Sequence, residues 1–176
     1  MKTIPIFDFT YDHSVNSVMH PPQHIFDFYS NQHKHKLGTL VCHKSELPIR
    51  PNYDGSVLAI DFLEVSNKNS GTGAKILKFA EEYSKQIGCK GFMTLKADTS
   101  YMPENIPHIF YRKYGFSTFD KSCDKQLDKF IKHNRNATKR DFPCLLMHYP
   151  AFDMKNVKLK IKLKNLLKYV IPKIIS

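Results

Sequence analysis

The chain has no apolar run of about 18 residues, so no stretch reads as a membrane-crossing helix. Only seven glycines and ten prolines occur among 176 residues, which excludes a collagen-like or low-complexity chain. The four cysteines, Cys42, Cys89, Cys123 and Cys144, form no CxxC pair, and three sit beside or within apolar runs. Reduced, half-buried structural thiols are therefore expected, ahead of disulfides. The N-terminus reads MKTIPIFDFTYDHS and lacks the long apolar stretch of a signal peptide. A cytoplasmic protein is the expectation. Nine histidines are present, but His20 and His24 are separated by Pro21-Pro22, which blocks a regular helix between them. His33 and His35 have no Cys or carboxylate cluster beside them. Solvated loop histidines, and no metal site, are expected. Acidic residues are missing from the end of the chain: all 16 lie before residue 155.

Apolar residues make up 41% and aromatics 12%, enough for a packed core rather than intrinsic disorder. Lys and Arg number 27, giving a net charge of +11. Residues 155–176 hold seven lysines and no acid, so they carry +7 of it and leave +4 for the rest. The expected organisation is one domain over 1–154 and a basic C-terminal tail over 155–176. No internal repeat is visible.

Thr3–Phe9 alternates loosely and reads as a first strand. His20–Ser30 reads as a short helix, and Lys36–His43 as a strand. Pro48–Gly55 is a turn or loop, rich in Pro, Asn, Asp and Gly. Ser56–Val65 (SVLAIDFLEV) is the strongest strand pattern, a nearly continuous apolar run expected at the centre of a sheet. Gly71–Ile87 follows as the strongest helix, with Ile76, Ala80, Tyr83 and Ile87 at helical spacing and Gly88 as its stop. Further strands are expected at Gly91–Ala97, Phe116–Phe119 and Pro143–His148. Short helices are expected at Pro107–Tyr114 and Asp124–His133. That order implies a mixed sheet with helices on its faces.

The loop Lys68-Asn69-Ser70-Gly71-Thr72-Gly73-Ala74 joins the best strand to the best helix. Two glycines one residue apart let a backbone approach a ligand closely. The helix that follows aims free N–H groups and a positive dipole end into the loop, which suits phosphate. A plain turn would also use Gly and Asn. A P-loop is excluded because Ala74-Lys75-Ile76 follows Gly73. A dinucleotide fingerprint is excluded because Ile76 stands where a third Gly is required.

These residues resemble the GCN5-related N-acetyltransferase (GNAT) superfamily. Its Arg/Gln-x-x-Gly-x-Gly/Ala loop is matched by Lys68 through Gly73, with Lys68 in place of Arg or Gln. A second mark, Phe-Tyr-x-Lys-x-Gly-Phe, stands complete as Phe110-Tyr111-Arg112-Lys113-Tyr114-Gly115-Phe116. The resemblance covers Ser56–Phe119. It implies an α/β (α+β) fold with a mixed, mostly antiparallel central sheet and helices on both faces. It implies transfer of an acetyl group from acetyl-CoA, as cosubstrate, to a primary amine by direct attack in a ternary complex. Backbone groups of Leu63 and Val65 would hold the pantetheine arm. Amides of Asn69, Ser70, Gly71, Thr72, Gly73 and Ala74 would hold the pyrophosphate, with charge added by Lys68. Tyr111 would protonate the departing thiolate. Where the family often carries Asn, seven before that Tyr, this chain has Glu104.

The reaction also needs a base, because most amines are protonated at neutral pH. Glu64 and Asp61 are candidates on the central strand. Being three apart, they are expected on opposite faces of the sheet. Glu64, nearer the strand's end, is preferred; Asp98 and Glu104 lie on neighbouring loops.

In the tail, Val157–Lys164 (VKLKIKLK) alternates as a strand would, whereas Leu159, Leu163, Leu166 and Val170 fit one helical face. A solvated element packed on the body is one reading. Attraction to tRNA or an anionic membrane surface is another, helped by Lys129, Lys132, Arg135, Lys139 and Arg140. A CoA-binding domain without catalysis is a third. A monomer or homodimer is expected, with the amine acceptor open.

Overall fold

The computed structural model describes residues 8–31, 35–46, 55–68, 70–98, 107–135, 138, 140–142 and 144–150. The basic tail, Asn69 and Glu104 lie outside them. Seven strands and three helices follow in chain order: β1 (Phe9–Asn16), β2 (Gln23–Ser30), β3 (Lys36–Ser45), β4 (Val57–Val65), α1 (Thr72–Gln86), β5 (Met93–Ala97), α2 (His108–Tyr114), β6 (Ser117–Thr118), α3 (Lys121–Lys132) and β7 (Leu145–Tyr149). They form one sheet in the order β1-β2-β3-β4-β5-β7-β6. Every neighbouring pair is antiparallel except β4 and β5. The expected mixed, mostly antiparallel sheet is what the chain forms, with β4 at its centre.

Residues paired across strands share a face of the sheet. Phe28 pairs with Tyr11, Phe26 with His13 and with Leu40, and Leu40 with Leu63. These side chains define the face that α1 covers. There Phe79 of α1 meets Tyr11, Phe26 and Phe28, with ring centroids 4.9, 5.0 and 5.1 Å apart. Such pairs add about 0.5–1.5 kcal/mol each beyond area burial. Ile76, Leu77, Phe79 and Ala80 of α1 are fully buried, as the helical spacing requires. Tyr114 and Tyr149 stack loosely (5.4 Å), setting α2 on the same side, since Tyr149 also reaches Glu81 of α1.

α3 lies against α2 and β6, beyond the sheet's β6 edge. Arg112 grips it with Nε and Nη2 on the two carboxylate oxygens of Asp128 (2.8 and 2.9 Å), and with Nη1 on Ser117 and the Phe116 carbonyl. A bidentate, partly buried pair of this kind holds orientation as well as charge. The Asp120 side chain accepts from Ser122 N–H and caps α3, which starts earlier than the sequence pattern indicated. Among the described residues, no helix covers the second face over β1–β4.

The expected helix over His20–Ser30 is instead β2. Phe26 and Phe28 point to the core while Asp27 points away, a period of two that tertiary pairing with β1 and β3 enforces. The expected first strand, Thr3–Phe9, lies outside the described residues except for its last two; among those described, β1 begins at Phe9. His24 is not a loop histidine. It sits on β2 with Nδ1 2.9 Å from the Tyr83 hydroxyl and 3.1 Å from His13 Nε2.

Candidate active site

The sheet is not zipped along its full length at the centre. β4 pairs with β5 only at Leu58–Ile60, opposite Met93–Leu95. With β3 it pairs all the way to Val65. Past Ile60, the β5-facing edge of β4 has no ladder partner among the described residues, and the strands open a wedge. Ser66 N–H bonds to the Leu37 carbonyl on β3. Alternation then turns the peptide groups of Phe62 and Glu64 toward β3, and those of Leu63 and Val65 toward the wedge. The two residues named for the pantetheine arm thus present their N–H and C=O groups where an added extended chain would find them.

Gly38 of β3 was not singled out by the sequence. A side chain there would collide with the Glu64 carbonyl and press on Ile76, so only glycine lets β3, β4 and α1 close up at this point.

The wedge leads into the loop that starts α1. Gly71 is the N-cap, at φ 79, in the left-handed region where glycine is favoured. Nothing lies within 4 Å of the space a side chain would take there. Ser70 Oγ donates to the Asn67 carbonyl (2.8 Å) and lies 2.8 Å from Thr72 Oγ1, tightening the turn. Gly71 has no side chain to cap the helix, no acid stands in its first turn, and Ser70 Oγ accepts from the Thr72 N–H (3.4 Å). The positive dipole end and the N–H groups that follow face the loop. Lys68 is exposed on the same loop. A Cβ on Gly73 would sit 3.0 Å from Phe110 Cζ and 3.7 Å from Val65 Cγ1, so its missing side chain also lets α2 pack against the loop.

Tyr111 is buried on α2, with ring centroids 5.2 Å from Phe110 and 5.6 Å from Phe116. Burial pushes its hydroxyl up to about 12, so the phenol is neutral and keeps its proton at pH 7. It is a weaker acid than a thiol, whose ordinary value is about 8.5.

The two carboxylates of β4 are related in a way the sequence does not show. Val41 pairs with Phe62 but Cys42 pairs with Ile60, which leaves Asp61 as the extra residue of a β-bulge. The bulge breaks the count of two. Asp61 and Glu64 do not take opposite faces as expected. Asp61 Oδ2 accepts from Gln23 Nε2 (3.0 Å) and lies 2.7 Å from His43 Nδ1. Both partners stand on the face away from α1, as does Glu64, which pairs with Thr39. Asp61 is tied up, whereas Glu64 is exposed with Thr39 opposite and Lys36 near enough to feel its charge.

All four cysteines are free thiols; Cys42 and Cys89 are buried, and burial pushes Cys42 up to about 12. Among the described residues, no group of three His, Cys, Asp or Glu side chains is placed to hold a metal ion. None of their helices is long and apolar enough to cross a membrane.

No protein-family model matches the chain. No curated protein matches it either. Solved structures do. A bacterial toxin is 14% identical over 80% of this chain and 72% of its own, with a TM-score of 0.46. A protein described as a GnaT-family acetyltransferase from Bordetella pertussis is 9% identical over 72% of this chain and 65% of its own, at 0.43. The NatC complex bound to Gag peptide and CoA gives 13%, 72%, 70% and 0.45. Likenesses this distant carry no argument about chemistry, which has to come from the residues of the wedge and the loop.

Proposed function

We propose that the chain is an acetyl-CoA-dependent N-acetyltransferase of the GNAT type, acting on a primary amine. The observation that carries this reading is the wedge between β4 and β5, running into the acid-free, glycine-started N-terminus of α1. An extended thioester cofactor with a pyrophosphate at one end needs both parts, joined in that order. The pantetheine amides would pair with the peptide groups of Leu63 and Val65. The pyrophosphate would lie on the amides of Asn69 to Ala74, with Lys68 adding charge.

In the ternary complex the neutral amine attacks the thioester carbonyl, a C–N bond forms, and the carbonyl oxygen takes the negative charge. Glu64, exposed on the open face, receives the amine's proton directly or through water. The C–S bond then breaks, and Tyr111, which keeps its proton at pH 7, shares that proton with the sulfur in a hydrogen bond as charge builds there. Solvent supplies the proton with which CoA leaves as the thiol.

Addition of acetyl-CoA is expected to raise the melting temperature of the full chain. A thiol-release screen over small amines, peptides and aminoacyl-tRNA then identifies the acceptor. Tyr111→Phe keeps the thermal shift and loses turnover. No shift at millimolar acetyl-CoA would overturn the reading. A shift with no turnover on any amine would leave a CoA-binding domain without catalysis.

A further inference from the structure

The face of the sheet away from α1 carries two adjacent cross-strand rows. Asp12 pairs with Asp27, Asp27 with Thr39, and Thr39 with Glu64, so three carboxylates line up across four strands. In the next row Ile25 pairs with Val41, and Val41 with Phe62. Phe62 is 47% exposed although it stands on the central strand. On the far side of this apolar row lies the Asp61 carboxylate. Among the described residues, Lys36 lies 2.8 Å from Asp27 and His43 lies 2.7 Å from Asp61. The result is an apolar strip bordered by carboxylates, on a face with no helix over β1–β4 among the described residues. Large apolar side chains at the centre of a sheet are normally covered.

Residues 155–176 have the complementary chemistry. They hold seven lysines and no acid. Read with a period of two, Val157, Leu159, Ile161 and Leu163 share a side; read with helical spacing, Leu159, Leu163, Leu166 and Val170 do. Either way an apolar strip is bordered by lysines. The reach is short. β7 stands two strands from β4, about 10 Å at the usual strand spacing. Its last residue, Tyr149, pairs with Met93, which pairs with Leu58. The five residues 150–154 can span up to about 17 Å.

We propose that this open face is the docking surface for the chain's own residues 155–176. The apolar side of the segment covers Ile25, Val41 and Phe62, and its lysines meet Asp12 and Asp27, leaving Glu64 open toward the wedge. The basic excess of the tail is then answered within the molecule rather than by an external polyanion.

Zero-length carbodiimide coupling of the dilute full-length protein, mapped by mass spectrometry, tests this. The expected products are amide bonds within one chain, joining tail lysines to Asp12 or Asp27. Their yield falls several-fold in 0.5 M salt, since exposed ion pairs are screened (about 10 Å Debye length at 0.1 M, far less at this strength). It falls similarly in Phe62→Ser, which leaves all the carboxylates in place. Coupling of the tail to Glu81 and Glu82 on the α1 side in equal yield would overturn the proposal. So would coupling found only between two chains, which would make a second copy the occupant. Uncoupled tail lysines, in a chain that binds tRNA or anionic vesicles through residues 155–176, would overturn it in favour of an outward-facing tail.

Discussion

From Leu58 to Ile60, β4 is paired with β3 on one side and β5 on the other; from Phe62 to Val65 it is paired with β3 alone among the described residues. Val57, Leu58 and Ile60 are buried in the first half, while Asp61, Phe62 and Glu64 are exposed in the second. The bulge at Asp61 is the border. One strand thus serves as the spine of the core and, two residues later, as an unfinished edge. Edges left open are hazards unless something occupies them. Here the opening lies at the centre of the sheet, between the strands beside it and the turn into α1.

The comparison can be broken most severely in the first half. Leu58→Ala, at a side chain with no exposed surface, should cost about 2–5 kcal/mol by urea unfolding. A loss below about 1 kcal/mol would show that the paired half is not the spine. Next come the two glycines of the loop. Gly73→Val drives a branched side chain into Phe110 and should cost about 1–3 kcal/mol while weakening acetyl-CoA binding. Gly71→Ala meets no neighbour and should cost about 1–2 kcal/mol through its left-handed φ alone. Equal losses of ligand affinity in both variants would mean that the loop does not distinguish them.

In the second half the expected losses are of rate, not stability. Glu64→Gln should lower turnover by roughly 10²–10⁴-fold. Its unfolding free energy should stay within about 0.5 kcal/mol of the parent. Asp61→Asn should alter turnover far less, because its carboxylate is held by Gln23 and His43. The reverse order would move the base to the bulge.

The smallest effect sits farthest from the wedge. Burial lowers His13 and His24 from their ordinary value of 6.5, and His24 is lowered further by His13. Groups depressed in the folded state contribute stability that is present above the unfolded value and lost as pH falls through the folded ones. The melting temperature should therefore drop on going below pH 6.5, and less so in His13→Gln. Tyr83, Cys42 and Cys89 around the pair are all pushed up by burial and stay neutral across that range. An acid-induced loss of acetyl-CoA affinity without loss of stability would show that the two regions are coupled.

β4, α1 and the stop at Gly88 were legible because burial on both faces, helical spacing and a terminal glycine are local signals. β2 was not. Pro21-Pro22 and the run Ile25–Tyr29 look like the start of a helix, and only pairing with β1 and β3 selects the alternation of Phe26, Asp27 and Phe28. The loop and the Tyr111 motif were visible as residue types. The bulge at Asp61 was invisible, because it is a property of the register between two strands and no residue type announces it. The role of Gly38 was hidden for the same reason.

The empty space at residue 73 joins two stretches of chain that read as separate signatures. A methyl group on residue 73 would press within 3.0 Å of the Phe110 ring. The loop before α1 and the tyrosine helix are therefore mechanically one piece at this contact. A larger side chain at residue 73 should be tolerated best when residue 110 is made smaller.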